Sequence, residues 1–278
     1  MQILRLLEER FPMTVSIMEN KSVSTFKKII NNKFFHRFAA WMLALCLWQG
    51  ASMLPYGSIL LASPWQVFVR LGQLCGDVDF WQSIWRTFWH IGAGFFIGGA
   101  VGAFCAALSA KNKLVETLLQ PYVFTIKSVP VASFIVIALV LISSKSLSVF
   151  ISFLMVFPVM YGNLLQGMKS RNPEMDEMAL VFGVSPVKRL LYILLPHLKP
   201  YLISGCSTAL GLAWKAGVAA EVIGISGGTI GEALYMAKVH FDTAELFAWT
   251  VVIVVLSIGF EKLFLAVLKL LYGRLERS

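Results

Sequence analysis

Six windows of mostly apolar residues, near 38–61, 84–109, 121–142, 147–168, 199–222 and 245–270, constrain this chain more than any other feature. Each holds about the 20 residues that a helix needs to cross the hydrocarbon core of a bilayer. Backbone groups in lipid must be satisfied within helices or a closed barrel. Barrel strands alternate in polarity and these windows do not, so the expected fold is an all-α polytopic membrane protein with about six transmembrane helices. Composition agrees, with 58% of 278 residues hydrophobic and 14% charged, against roughly 25% charged in soluble domains. Pro55 interrupts the first window and Lys215 the fifth. Residues 1–37 form a polar N-terminal arm whose Glu8, Glu9 and Glu19 do not suit the apolar stretch of a cleaved signal. Residues 38–278 read as one membrane domain, without repeats or low-complexity tracts.

The net charge of +9 is distributed by location. With both termini in the cytoplasm, the inner segments hold Lys27, Lys28, Lys33, Arg37, Lys111, Lys113, Lys169, Arg171, Lys188, Arg189, Arg274 and Arg277, while the outer ones hold Arg70, Lys145 and Lys238, with Arg86 at a boundary. This positive-inside bias sets the orientation, explains the basic character without nucleic acid, and places residues 169–198 in the cytoplasm.

Those residues form a polar, turn-punctuated insert that reads as two short helices. Asn172 caps the first, Pro173 suits its first turn, and Glu174, Asp176 and Glu177 sit near the positive end of its dipole. Met175, Met178, Ala179 and Phe182 share one apolar face, and Gly183 supplies a left-handed stop. Ser185 and Pro186 open a second helix with a face of Val187, Leu190, Leu191 and Leu194, and Pro196 is expected to end it. Both helices are too short to be stable alone in water, so both faces need something to dock on.

Chemistry that the chain lacks narrows its role. No G-x4-G-K-[ST] sequence is present to cradle ATP phosphates, and no G-x-S-x-G motif supplies a nucleophile. His36, His90, His197 and His240 lack ligand spacing. Cys46, Cys75, Cys105 and Cys206 suggest neither a disulfide framework nor a metal site. An enzyme acting alone is not expected on these grounds, nor are catalytic, cofactor-binding or metal residues. Gly92, Gly94, Gly98, Gly99 and Gly102 do not complete a nucleotide fingerprint, because Ile97 stands where the third glycine belongs. Gly98 and Gly102 instead form a small-xxx-small pair for close helix packing. Trp65, Phe68, Phe80 and Trp81 in the outer segment 62–83 suit interfacial anchoring.

The ionisable residues within or at the edge of apolar windows include Lys127, Lys215 and Glu221. Intramembrane charges are costly and face a cavity or a partner; Lys127 and Glu221, nearer span ends, can also snorkel. Trp214 and Glu221 are seven residues apart and share a helical face, with Lys215 offset by about 100° from Trp214. The expectation is that Trp214 and Glu221 lie at a gate on the translocation path, with Lys215 at the edge of the cavity or paired to another span; the alternative is that Trp214 packs in the bundle and Glu221 sits in outer headgroup water.

The insert also carries a resemblance. The order Glu177-Met178-Ala179, three residues, Gly183, nine residues, Ile193, one residue, Leu195-Pro196 is similar to the EAA loop of ABC importer permeases, with Met178 where that family usually has Ala. The run Gly211-Leu212-Ala213-Trp214 leading to Ala220-Glu221, and the Gly227-Gly228 to Gly231 turn, resemble the nitrate, sulfonate, taurine and bicarbonate branch of that family. That branch often has an apolar residue where this chain has Lys215. The resemblance spans about residues 83–272. It implies a permease subunit in the plasma membrane, paired with a second permease copy and served by an extracytoplasmic solute-binding protein. ATP would be bound and hydrolysed by separate ATPase subunits docked on Met175, Glu177, Met178, Ala179, Phe182, Gly183, Val187, Leu190 and Pro196. Small anionic or polar solutes are expected, such as sulfonates, taurine, nitrate or bicarbonate, with a thiamine-precursor pyrimidine as the alternative. Rival classes are a stand-alone secondary transporter or channel, for which repeats and broken helices are absent from the sequence pattern, and a membrane scaffold.

Overall fold

The structure, a computed structural model, describes residues 33–53 and 61–275. Pro55 and most of the N-terminal arm lie outside those residues. The chain forms two compact units, Met1–Gln66 and Val67–Ser278.

In the first unit, α1 (Lys33–Ser52) covers the start of the first apolar window. Trp48 Nε1 donates to the Ala62 carbonyl at 3.0 Å. The unit ends in the first turn of α2 (Pro64–Leu74). Ser63 and Gln66 cap that helix reciprocally: the Ser63 amide donates to Gln66 Oε1 and the Gln66 amide to Ser63 Oγ.

The second unit continues with α3 (Val78–Lys111), α4 (Lys113–Ser128), α5 (Val131–Leu141), α6 (Ser144–Lys169), α7 (Pro173–Val181), α8 (Pro186–Arg189), α9 (Leu195–Gly224), α10 (Ile230–Val239) and α11 (Thr243–Leu275). Its core is the packing of α3 and α9 against α6. Glycine makes the α3–α6 approach possible. A Cβ at Gly94 would stand 2.5 Å from the Val149 carbonyl oxygen, and those at Gly98 and Gly102 would stand 2.9 Å from the Phe153 and Phe157 carbonyls. The Gly98–Gly102 pair therefore acts in packing, as its spacing indicates, and Gly94 extends the seam by one turn. On the other side of α6, Ser148 Oγ donates to the Gly217 carbonyl at 3.2 Å and Ser152 Oγ to that of Ala213 at 3.3 Å. Buried hydroxyls thus find partners on α9, as a low-dielectric interior requires. α11 closes the bundle with Phe260 and Phe264 against Phe88, Phe95 and Trp214.

Helices occupy all six apolar windows, but spans clear on length and apolarity are fewer. Among the described residues they are Val78–Lys111, Ser144–Lys169 and Thr243–Gly273, with a fourth if α4 and α5 count as one. The 30-residue α9 is long enough at about 45 Å, but Gly, Ser and Lys215 dilute its apolarity.

Three readings change in detail. The window 121–142 is not one straight span: α4 and α5 meet at 105°. Pro130 explains the break, since it lacks an amide hydrogen and pushes Val129 (φ −80, ψ 134) out of helical geometry. This is a broken helix that the sequence pattern does not show. Pro196 does not end the second insert helix. Residues Leu190–Leu194 form a π turn, the Leu195 amide donates five residues back to the Leu190 carbonyl, and α9 runs on through the proline. The wider register accommodates a residue that would break an α-helical ladder. Finally, Phe80 is buried against Trp249 rather than placed at an interface, whereas Trp65, Phe68 and Trp81 are exposed.

Arg70 of α2 contacts Glu245 at 2.6 Å and Asp242 at 3.6 Å, and Trp249 Nε1 donates to the other Glu245 oxygen at 3.3 Å. The Glu245 hydrogen bond, with the nearby negative charge, holds the Arg70 pKa above its ordinary value. At the opposite end of the bundle Lys169 of α6 meets Glu116 of α4 at 2.5 Å.

Candidate coupling surface and intramembrane polar residues

Local rules build the insert as its sequence suggests. Asn172 Oδ1 accepts from the Glu174 amide at 3.0 Å, with Pro173 next in the first turn of α7. At the other end Gly183 has φ +61. Its amide donates to Leu180 at 3.0 Å, and the Val184 amide donates to Ala179 at 2.9 Å. This is a Schellman closure, which requires a left-handed residue at that position.

Of the expected docking residues, Ala179 is the one that the chain itself buries. Met175, Met178, Phe182, Val187 and Leu190 remain open, from 49% exposed at Leu190 to 77% at Phe182. Leu180 and Val181 add to the patch, although the helical spacing of the apolar face omitted them. Pro196 is half-buried inside the continuous helix. Glu177 is exposed and forms no ion pair among the described residues. Next to this hairpin lies a cavity of about 170 Å³ lined by Arg171, Pro186, Arg189, Leu190 and Leu194. An apolar surface rimmed by cations suits a partner with a complementary apolar and acidic face.

The intramembrane residues separate into two groups. Trp214 is 1% exposed, enclosed by Phe88 and Phe260. Glu221 is fully buried. Its Oε2 accepts from Thr87 Oγ1 at 2.7 Å and from the Gly231 amide at 3.4 Å, and its Oε1 stands 3.5 Å from His90 Nδ1. Thr87 Oγ1 in turn accepts from the Ile230 amide at 3.0 Å. The carboxylate therefore sits at the N-terminus of α10, where free amides and the dipole favour negative charge. It ties α3, α9 and α10 together. A Cβ at Gly231 would collide with Glu221, so the close approach of the Gly227–Gly231 turn depends on glycine there.

The expected gate at Trp214 and Glu221 involves a second copy of the chain; within one copy both residues are enclosed. Both share a face, as their spacing requires, but that face is interior. Lys215, about 100° around α9 from Trp214, is exposed. Thr87 and His90, the partners of Glu221, went unnoticed in the sequence. Two polar residues three apart in the apolar window 84–109 were the available signal.

Known proteins are similar to this chain in sequence. The family model described as binding-protein-dependent transport system inner membrane component matches residues 98–277. The putative aliphatic sulfonates transport permease protein of Escherichia coli (strain K12) is 29% identical over 202 residues, covering 70% of this chain and 76% of its own. The bicarbonate transport system permease protein of Synechococcus elongatus (strain ATCC 33912 / PCC 7942 / FACHB-805) is 27% identical over 146 residues, 52% of each chain. The nitrate import permease protein of Leptolyngbya laminosa is 25% identical over 195 residues, 68% of each.

Proposed function

The chain belongs to the inner-membrane components of binding-protein-dependent transport systems and is a permease subunit of an ABC importer; from that premise we propose that α7 and α8 are the docking site of its ATPase. The observation that carries this reading is the open apolar hairpin of Met175, Met178, Phe182, Val187 and Leu190, built on a capped helix with a glycine closure. Glu177, exposed and without an ion pair among the described residues, supplies a charged contact at its edge to a basic group on the ATPase. Nucleotide-driven closure of two ATPases moves the hairpin, and the π turn and α9 carry that motion into the bundle without a flexible joint. ATP biases this equilibrium only through its different affinity for the two states.

A second copy of the permease completes the pathway and an extracytoplasmic binding protein delivers solute, with both termini in the cytoplasm. ATP is bound by the partner ATPase, and this chain holds no cofactor of its own. The solute is a small anion of the kind named for the relatives, sulfonate, bicarbonate or nitrate. The exposed Lys215 favours it over a thiamine-precursor pyrimidine. Replacing Phe182 with Asp tests the docking site. The expected result is loss of the ATPase from the detergent-extracted complex, with unchanged amounts of permease in the membrane. Full retention of the ATPase refutes it.

A further inference from the structure

The open face of α9 carries a polar stripe. Ser204, Thr208 and Lys215 are exposed and Gly211 is half-exposed, at positions i, i+4, i+11 and i+7 of one helix. These residues lie on a single side, away from the buried Ala213, Trp214 and Gly217. A Ser-Thr-Gly-Lys stripe is a poor surface for lipid, and a cation within a span ordinarily faces water or a partner.

A second cation stands near the other end of that stripe. Lys127, in the last turn of α4 just before the bend, places Nζ 3.5 Å from where a Cβ at Gly162 of α6 would be. The next residue, Asn163, lies 3.2 Å from the corresponding position at Gly205, the neighbour of Ser204. Lys127 is thus level with Ser204, while Lys215 lies eleven residues farther along α9, about 16 Å at helical rise. Neither lysine forms an ion pair with a carboxylate among the described residues. The buried Glu221 is occupied by Thr87 and the start of α10. Both cations are exposed.

We propose that Lys215 and Lys127 are two successive stations for a small oxyanion, joined by the hydroxyls of Thr208 and Ser204. This rests on the permease reading above and assigns the solute class from this chain's own residues. Two separated cations suit transport better than one tight site, because binding at each stays weak enough for release to the next. Ammonium groups and hydroxyls donate hydrogen bonds to oxyanion oxygens along the stripe; Glu261 of α11, beside it, accepts from Ser207 and forms no ion pair with either lysine among the described residues.

The test uses the whole importer, with its ATPase and binding protein, in membranes. Thr208→Cys introduces a thiol between the two lysines, in a near-isosteric change on an exposed position. It is modified with 2-sulfonatoethyl methanethiosulfonate, an anion, and with the trimethylammonioethyl reagent, a cation. The parent chain with its own four cysteines gives the background. The anionic reagent is expected to react faster by about tenfold or more, as a unit cation about 10 Å away at an effective dielectric near 20 implies. Lys127→Gln and Lys215→Gln should each reduce that ratio several-fold, while Lys127→Arg and Lys215→Arg should retain it. A ratio unchanged by both Gln variants, equal loss in the Arg variants, or no reaction at Thr208→Cys and at a second site, Ser204→Cys, overturns the proposal. None of those results touches ATPase retention at Phe182, so the two readings fail separately.

Discussion

Gly183→Val isolates the geometry of the docking hairpin, because the site is open and only conformation is at stake. No atom lies within 4 Å of a Cβ built at Gly183, so the new side chain meets no clash. Its φ of +61 is the difficulty. An L-residue held left-handed costs roughly 1–2 kcal/mol, with a β-branched residue at the upper end. The chain can escape that cost by abandoning the closure. It then loses the Gly183–Leu180 and Val184–Ala179 hydrogen bonds, each contributing about 0.5–1.5 kcal/mol. Either route costs about 1–2 kcal/mol or slightly more, which lowers the population of correctly aimed α8 by roughly 5- to 30-fold. ATPase affinity should fall by that factor in nanodisc titrations of the purified permease, with insertion and folding of the bundle unchanged. Gly183→Asn, which tolerates the left-handed region, should lie close to wild type, and Gly183→Ala between the two. Wild-type affinity in Gly183→Val, or equal losses in Val and Asn, would show that the left-handed closure does not orient the docking surface.

Further outcomes follow from other sites. Glu177→Ala should leave ATP hydrolysis running but uncouple it from solute uptake in proteoliposomes; unchanged coupling would make the residue merely solvated. Gly98→Leu should prevent close approach of α3 to α6, because even a Cβ there stands 2.9 Å from the Phe153 carbonyl; normal yield of a monodisperse complex would contradict that packing. Thr87→Val removes the 2.7 Å hydrogen bond to buried Glu221 and should destabilise the bundle by about 1–3 kcal/mol, read as a lowered unfolding temperature in detergent. Arg70→Gln loses a partly exposed ion pair and should cost no more than about 1 kcal/mol; a large drop in that same unfolding temperature would mean that α2 is a structural strut.

The parts of this structure legible in the sequence are those governed by local chemistry. Asn172, Pro173 and Gly183 specify the ends of α7 through capping and a left-handed φ, with no tertiary partner needed. The Gly98–Gly102 pair announces close packing because nothing larger fits such a seam. What escaped depends on helix direction, on an unexpected helical register or on groups distant in sequence. The bend at Pro130 is local in cause, but a continuous apolar window concealed it, since hydropathy is blind to direction. Pro196 looked like a terminator because the α-helical ladder was assumed, and a π turn changes that ladder. The interior position of Trp214 and Glu221 is set by Phe88, Thr87 and Phe260 on other helices. Spacing along α9 shows that the two share a face but not which way that face points. Lys215 could have settled the direction: a cation and the hydroxyls of Ser204 and Thr208 mark the open side.

The most direct measurement is site-specific photo-crosslinking from the α7–α8 hairpin in intact membranes. A benzoylphenylalanine placed at Phe182 or Val187 should capture the ATP-hydrolysing subunit, identified by mass spectrometry, with a yield that changes between nucleotide-free and ATP-bound states. The same group at Phe68 or Val140, exposed apolar positions elsewhere on the chain, should not capture it. Capture at all four positions alike, or at neither hairpin position, would contradict the assignment of this hairpin as the coupling surface.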